Sequence, residues 1–207
     1  MDFNTFWDLL LEQVHRTSFL EWTAVGFGVS EVLLAKRNNI WLYPTGIISI
    51  LCGGFLLIQS KLYAETLLHV YYLVMSIYGW ANWNSRTASG AAVISKSNSK
   101  EQTITWTIAL LGWGILYAFL VLFTDSDVPF LDAFVSSTAW AGMWLLAKRK
   151  LENWLWLNLS NLVAIPLLFY KGLFMFALLT IFLFVVAVLG YLDWKKEIET
   201  QVIYVES

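Results

Sequence analysis

Seven stretches of this chain are long and apolar enough to cross a lipid bilayer, roughly 18–35, 40–59, 63–83, 103–124, 128–147, 152–170 and 173–193. A spanning helix needs about 20 mostly apolar residues. Hydrocarbon offers no hydrogen bonds, so every backbone polar group inside it must be satisfied within the chain, which makes these stretches helices. Composition agrees. The chain is 58% hydrophobic and 14% charged, against roughly 25% charged in soluble domains. A surface with so little charge must largely face lipid. The net charge of −2 gives no footing for a nucleic-acid partner. The one cysteine, Cys52, sits in an apolar run, so no intrachain disulfide is expected, and no metal-ligand spacing is present.

Residues 1–17 precede the first span and read as an amphipathic helix. Phe3, Phe6, Trp7, Leu10 and Val14 recur at helical spacing, with Asp2, Asn4, Asp8, Glu12 and Gln13 on the other side. Such a helix can lie at a membrane surface or dock on the bundle. Its three acids and single arginine are the wrong start for a cleavable signal peptide.

The chain also repeats itself. Leu33-Leu34-Ala35-Lys36-Arg37 returns as Leu145-Leu146-Ala147-Lys148-Arg149. Trp41 and Trp154 follow the two copies, and Gly79-Trp80 and Trp83 answer Gly190-Tyr191 and Trp194. Anchors in one order at near-constant spacing imply an internal duplication, which fixes architecture. Each copy holds three spans, 18–83 and 128–193. Three crossings would invert a second copy placed directly after the first, so the fourth span, 103–124, restores its orientation. The expected fold is all-α: seven transmembrane helices, two parallel three-helix repeats joined by a linker helix (3+1+3). Residues 84–127 form the loop and linker, and 194–207 a cytoplasmic tail. Parallel repeats are a transporter architecture, with the site near mid-membrane between the halves. The Ser-, Asn- and Gly-rich loop 84–102 reads as mobile.

Basic residues set the orientation. With the N-terminus outside, ten Lys and Arg face inward (Lys36, Arg37, Arg86, Lys96, Lys100, Lys148, Arg149, Lys150, Lys195, Lys196) and three outward (Arg16, Lys61, Lys171). The positive-inside rule then puts the C-terminus in the cytoplasm.

Polar residues deep in a membrane are costly and point to function. The third span carries His69, Tyr72 and Ser76 on one helix face, at i, i+3 and i+7. The sixth carries Asn158 and Asn161, whose amides offer both donors and acceptors. The fifth carries Ser136, Ser137 and Trp140, and an indole at mid-depth can stack on a flat or cationic ring. The second carries Thr45 and Ser49. For each, contact with a ligand and hydrogen bonding between helices are both open. Glu31 in the first span suits a proton or cation site, or a bond between helices; its counterpart in the second copy of the repeat is Met143. Trp41, Trp83, Trp106 and Trp194 near span ends read as an interfacial aromatic belt. No phosphate loop, nucleophile elbow or paired membrane carboxylates appear, and the final span has no lysine for a retinal Schiff base. An enzyme or a photoreceptor is therefore not expected, and no cofactor.

Several motifs resemble the PnuC family of vitamin transporters, over about residues 20–195. They are Tyr43-Pro44-Thr45-Gly46-Ile47-Ile48-Ser49, Lys61-Leu62-Tyr63-Ala64 and Ser76-Ile77-Tyr78-Gly79-Trp80, then Asp132-Ala133-Phe134, Glu152-Asn153-Trp154, Ile165-Pro166-Leu167 and Phe169-Tyr170-Lys171-Gly172-Leu173. The resemblance implies a bundle similar to the sugar-transporting SWEET proteins in a bacterial inner membrane. It implies uptake of nicotinamide riboside by facilitated diffusion, trapping by a cytoplasmic kinase, and an assembly compatible with a homotrimer. Relatives carry thiamine, riboflavin or deoxynucleosides. Two positions depart from the nicotinamide riboside pattern. Leu157 stands where a Trp precedes the sixth-span Asn by four residues, and His69 stands where relatives often have Gln. Thiamine, also a flat cationic vitamin, is the alternative substrate. The expected substrate contacts are Ser49, His69, Tyr72, Ser76, Trp140, Asn158 and Asn161. A receptor that binds without transporting is the rival class.

Overall fold

The structure, a computed structural model, describes residues 3–59, 63–87, 90–91 and 93–206. Lys61, expected to face outward, and Leu62 lie outside them. The described residues form eight helices: α1 (Phe3–Arg16), α2 (Phe19–Lys36), α3 (Leu42–Gln59), α4 (Tyr63–Asn84), α5 (Ser99–Phe123), α6 (Pro129–Ala147), α7 (Asn153–Tyr170) and α8 (Phe174–Glu206). A two-residue hairpin, β1 (Arg86–Thr87) with β2 (Gly90–Ala91), interrupts the loop before α5. Every expected span is a helix. α3, α5, α6 and the first 28 residues of α8 are each long and apolar enough to cross a bilayer unaided, and α1 with α2 passes as a pair bent by 104°. The last helix does not stop at residue 193. α8 runs for 33 residues, about 50 Å at 1.5 Å per residue, well beyond a hydrocarbon core of about 30 Å.

Local chemistry sets the boundaries. Ser18 and Glu21 make a capping box that starts α2, and Asn98 and Glu101 make another that starts α5. Pro129 opens α6, where its missing N–H costs nothing. Gly172, at φ 72°, turns the chain between α7 and α8. α1 docks on this same corner. Gln13 donates to Gly172 O at 2.8 Å, and Met175 N donates back to Gln13 Oε1 at 3.2 Å.

Six helices close a ring. α2 packs on α3, α3 on α4, α4 on α6, α6 on α7, α7 on α8, and α8 returns to α2. α5 lies outside the ring against α6. α2–α4 and α6–α8 therefore meet twice: the third helix of each set packs on the first helix of the other.

Contacts within and between the halves recur at one constant sequence offset, the 111 residues that separate Asn38 from Arg149. The indole N–H of Trp83 donates to Leu146 O at 3.1 Å, and that of Trp194 donates to Ala35 O at 3.0 Å. Asn82 donates to Ala147 O at 2.9 Å, and its counterpart Asp193 pairs with Lys36 at 3.5 Å. Ser49 donates to Ala24 O at 2.8 Å, and Ser160 donates to Val135 O at 2.8 Å. Tyr43 covers Gly79 as Trp154 covers Gly190. The turns agree too: Asn38 and Arg149 both adopt left-handed backbone, at φ 53° and 58°.

These pairs correct three expectations. First, the repeated pentapeptide is one residue out of register. The letters pair Leu34 with Leu146, whereas the contacts pair Ala35 with Leu146. Trp154 is then the counterpart of Tyr43 and not of Trp41, and Gly142, not Met143, is the counterpart of Glu31. Second, Trp83 and Trp194 are not belt residues. They are 4% and 0% exposed, and carbonyls in the last turn of the opposite half's first helix satisfy their N–H groups. Trp41 and Trp106, at 65% and 57% exposed, remain on the surface. Third, part of loop 84–102 is fastened. Ile94 is buried, Ser95 bridges to the α6–α7 turn, and Lys150 pairs with Glu101 at 3.0 Å.

Candidate functional site

The candidate residues lie on four of the six ring helices: Ser49 on α3, the His69 group on α4, Trp140 on α6, and the two asparagines on α7. An α-helix brings residues three and four apart onto one face, which aligns His69, Tyr72 and Ser76. The rings of His69 and Tyr72 meet edge to face at 6.0 Å. Tyr72 meets Tyr71 at 6.1 Å, and Tyr71 stacks on Trp140 of α6 at 4.6 Å with 28° between planes. A chain of four rings thus runs from His69 to Trp140 across the α4–α6 junction. The Tyr71 hydroxyl also donates to Trp140 O at 3.0 Å, fixing the two helices at this level.

Tyr71 was not among the residues expected from sequence. Helical spacing puts it about 100° from Tyr72, off the polar stripe, so only the partner helix reveals its role. On the other side of Trp140 lies α5. A Cβ added at Gly112 would sit 3.5 Å from the indole. One face of Trp140 is therefore already taken by Tyr71, which leaves its edge and Nε1 for other contacts.

Seven buried side-chain polar atoms among the described residues have no hydrogen-bond partner, and three of them belong to the expected substrate contacts: Ser76 Oγ, Trp140 Nε1 and Asn158 Oδ1. Leaving such a group unmet in a buried setting costs roughly 1–3 kcal/mol each. The three come from three consecutive members of the ring, α4, α6 and α7. They are a hydroxyl, an indole donor and an amide acceptor, the kinds of group that pair with hydroxyls and amides. Asn161 follows Asn158 by three residues on the same side of α7 and is half-buried.

Ser49 is differently placed. Its hydroxyl proton goes to Ala24 O, so only its lone pairs can face a ligand. His69 instead leans on α3, where a Cβ added at Gly53 would lie 3.2 Å from Nε2. Glu31 packs its carboxyl against Gly46, within 2.5 Å of where a Cβ would stand. In the second half the bulk comes from the other helix: Leu157 of α7 fills the space over Gly142 of α6. The structure thus gives Leu157 a packing role. A separate groove of about 670 Å³ runs along α5 between Ser99 and Leu111. One helix alone lines it, so it encloses nothing and stands apart from the ring.

Among the described residues no cluster of His, Cys, Asp and Glu suits a metal ion. Lys and Arg are absent from 17–35, 38–60, 62–85, 101–147, 151–170 and 172–194, so no fixed positive charge lies within the spans.

Residues 18–196 match a protein family described as nicotinamide mononucleotide transporter. The chain is similar to the nicotinamide riboside transporter PnuC of Escherichia coli (strain K12), at 24% identity over 86% of this chain and 85% of that one. It is equally similar to the protein of the same name from Shigella flexneri. Among solved structures it resembles the vitamin B3 transporter PnuC, with a TM-score of 0.71 at 19% identity, covering 94% of this chain and 88% of the other. That likeness shows the fold.

Proposed function

The chain belongs to the nicotinamide mononucleotide transporter family, and from that premise we propose that it carries nicotinamide riboside into the cell through the centre of its six-helix ring. The observation that carries this reading is the trio of buried, unpartnered polar atoms on α4, α6 and α7. Polar groups at such depth are retained where something periodically pairs with them. The ligand's ring would meet the His69–Trp140 aromatic chain, and Ser76, Asn158 and Asn161 would take its hydroxyls and amide.

The charge inventory favours the nucleoside over its phosphate. A mononucleotide brings one to two negative charges, and the spans hold no Lys or Arg to compensate them. A riboside brings a flat pyridinium, which suits an aromatic wall. Passage would be facilitated diffusion, since no ion-coupling pair is evident, and phosphorylation by a cytoplasmic kinase would trap the product. A homotrimer belongs to the same reading.

The architecture of this proposal is 3+1+3: α2–α4 and α6–α8 as parallel repeats, and α5 as the linker. The recurrence of contacts at a constant offset supports it, as does the position of α5 outside the ring. Taken singly, α2, α4 and α7 fall short of an unaided span, and α4 and α7 carry most of the polar candidates. The charge count favours an N-terminus outside, with the turn at 37–41, the turn at 148–152 and the tail in the cytoplasm.

The test is counterflow of labelled nicotinamide riboside in liposomes, with thiamine, riboflavin and nucleosides as competitors and no imposed ion gradient. Uptake without a gradient is expected. His69→Ala and Asn161→Ala should each weaken binding at least about tenfold, roughly 1.4 kcal/mol. Unchanged affinity in both variants, or an absolute need for a sodium or proton gradient, would overturn the reading. Preferred competition by thiamine would keep the site and change the substrate.

A further inference from the structure

The α2–α3 and α6–α7 turns face each other across one end of the ring. Beneath them four large side chains make a buried plug. Tyr43 meets Trp83 edge-on at 5.4 Å, Trp83 meets Trp194 at 6.0 Å, and Trp194 meets Trp154 edge-on at 5.6 Å. All four are at most 4% exposed. Above the plug one side chain crosses between the turns. Arg149 donates through Nε to Asn38 Oδ1 at 2.8 Å and through Nη2 to Asn38 O at 3.4 Å. Its guanidinium also lies 4.2 Å over the Trp83 ring. Asn38 in turn donates to Glu197 of α8 at 2.7 Å. Because Asn38 and Arg149 are counterparts in the duplication, their contact lies where the two halves meet on equal terms.

The two turns are held by different segments. The Arg149 turn is braced by the segment before α5. Ser95 N donates to Arg149 O at 3.3 Å, Leu151 N to Ser95 O at 2.9 Å, and Ser97 N to Glu152 Oε2 at 2.9 Å. Lys150 adds a bond to Ser95 Oγ at 3.1 Å and its ion pair with Glu101. The Asn38 turn is held by α8 instead, through the Asn38–Glu197 bond, the Lys36–Asp193 pair and the Trp194 indole on Ala35 O, and its Trp41 is 65% exposed. Arg149 therefore reaches from a turn held by the segment before α5 to one held by α8. Both residues hold the left-handed backbone that normally falls to Gly or Asn, at a cost of about 1–2 kcal/mol for an arginine. Such a conformation persists where the surroundings insist on it.

We propose that the Arg149–Asn38 pair is the latch of a gate at this end of the ring. While it is made, the aromatic plug seals the interior. When it parts, the Asn38 turn moves with the ends of α2 and α3, and the indole–carbonyl bond from Trp194 to Ala35 O breaks with it. The Arg149 turn, held by the segment before α5, stays in place. The proposal rests on the transport reading only in supposing that the interior must open at this end. Half-burial holds the Arg149 guanidinium below the ordinary arginine range, while Glu197 opposes that shift.

Two experiments test it, both in a Cys52→Ser background. In the first, Asn38→Cys with Arg149→Cys is joined by a short bifunctional methanethiosulfonate, and nicotinamide riboside counterflow is read before joining, after joining and after reduction. Joining should lower counterflow at least about tenfold and reduction should restore it, the range expected when one state of a two-state equilibrium is locked. Counterflow that survives joining overturns the latch. Absence of counterflow even in the Cys52→Ser parent counts against the transport reading instead.

The second experiment needs no transport. Ala187→Cys places a thiol in the plug, and its labelling by a membrane-impermeant maleimide is timed with and without Asn38→Gly. Glycine keeps the positive φ and removes the amide. Labelling should quicken about tenfold, the factor that loss of a hydrogen bond to a charged group carries. An unchanged rate overturns the proposal.

Discussion

Gly190→Ala is the sharpest probe of how the two halves are packed. A Cβ at 190 would stand 2.7 Å from Trp154 Cζ2, 2.8 Å from Cε2 and 2.9 Å from Cη2. Carbon–carbon contacts are optimal from about 3.5 Å, so the indole must retreat by about 0.8 Å. It has nowhere to go. Trp154 is 1% exposed and its ring is held edge-on by Trp194, whose N–H is tied to Ala35 O. Overpacking of this kind costs about 2 kcal/mol, which for a chain of this length lowers the melting temperature by roughly 4–8 °C. The assay is thermal unfolding of the purified protein in detergent. Trp154→Phe removes the clashing atoms, so in the Gly190→Ala background it should cost at least about 1 kcal/mol less than it does alone. A Gly190→Ala protein that melts within about 1 °C of the parent, or strict additivity of the two changes, would refute the reasoning.

Two further outcomes follow from the recurrence of contacts. Trp83→Phe and Trp194→Phe each remove one indole–carbonyl bond between the halves and should lower stability by similar amounts, about 1–2 kcal/mol, read by the same melting assay; a large effect from one alone would deny the equivalence. Ser49→Ala and Ser160→Ala should likewise cost about 1 kcal/mol each, with less than about a threefold change in vitamin affinity, and a tenfold loss of affinity in Ser49→Ala would put that residue against the ligand.

The helices were legible because hydrocarbon leaves the backbone no alternative, and each expected segment is helical within a few residues of its bounds except at the end of the last. α8 outruns its apolar stretch, since Trp194 still buries itself and Asn38 pairs with Glu197 beyond it. The spacing of the recurring contacts was less legible. Five identical letters suggested one pairing, whereas the left-handed turns at Asn38 and Arg149 and the glycines under Tyr43 and Trp154 fix another, shifted by a single residue. Letters drift by a residue more easily than a turn does. Trp83 and Trp194 were misread for a different reason. Their places near span ends fit an interfacial belt, and only the opposite half supplies the carbonyls that bury them. The polar stripe of α4 was visible in the sequence, whereas Tyr71 was not, because its partner Trp140 lies 69 residues away.

The closed order of the six helices bears on how the protein is made. α2 has one face that only α8 covers, and α4 has one that only α6 covers. At a synthesis rate of about 5–20 residues per second, α2 waits on the order of 10–30 seconds after leaving the ribosome before its last neighbour exists. Until then the carbonyl of Ala35 has no indole to receive and the plug cannot form. The first three helices are therefore inserted as an open crescent. A chain halted after α5 would present that crescent's edges to any other copy, and exchange of whole halves between molecules is the error to which this order of assembly is most exposed.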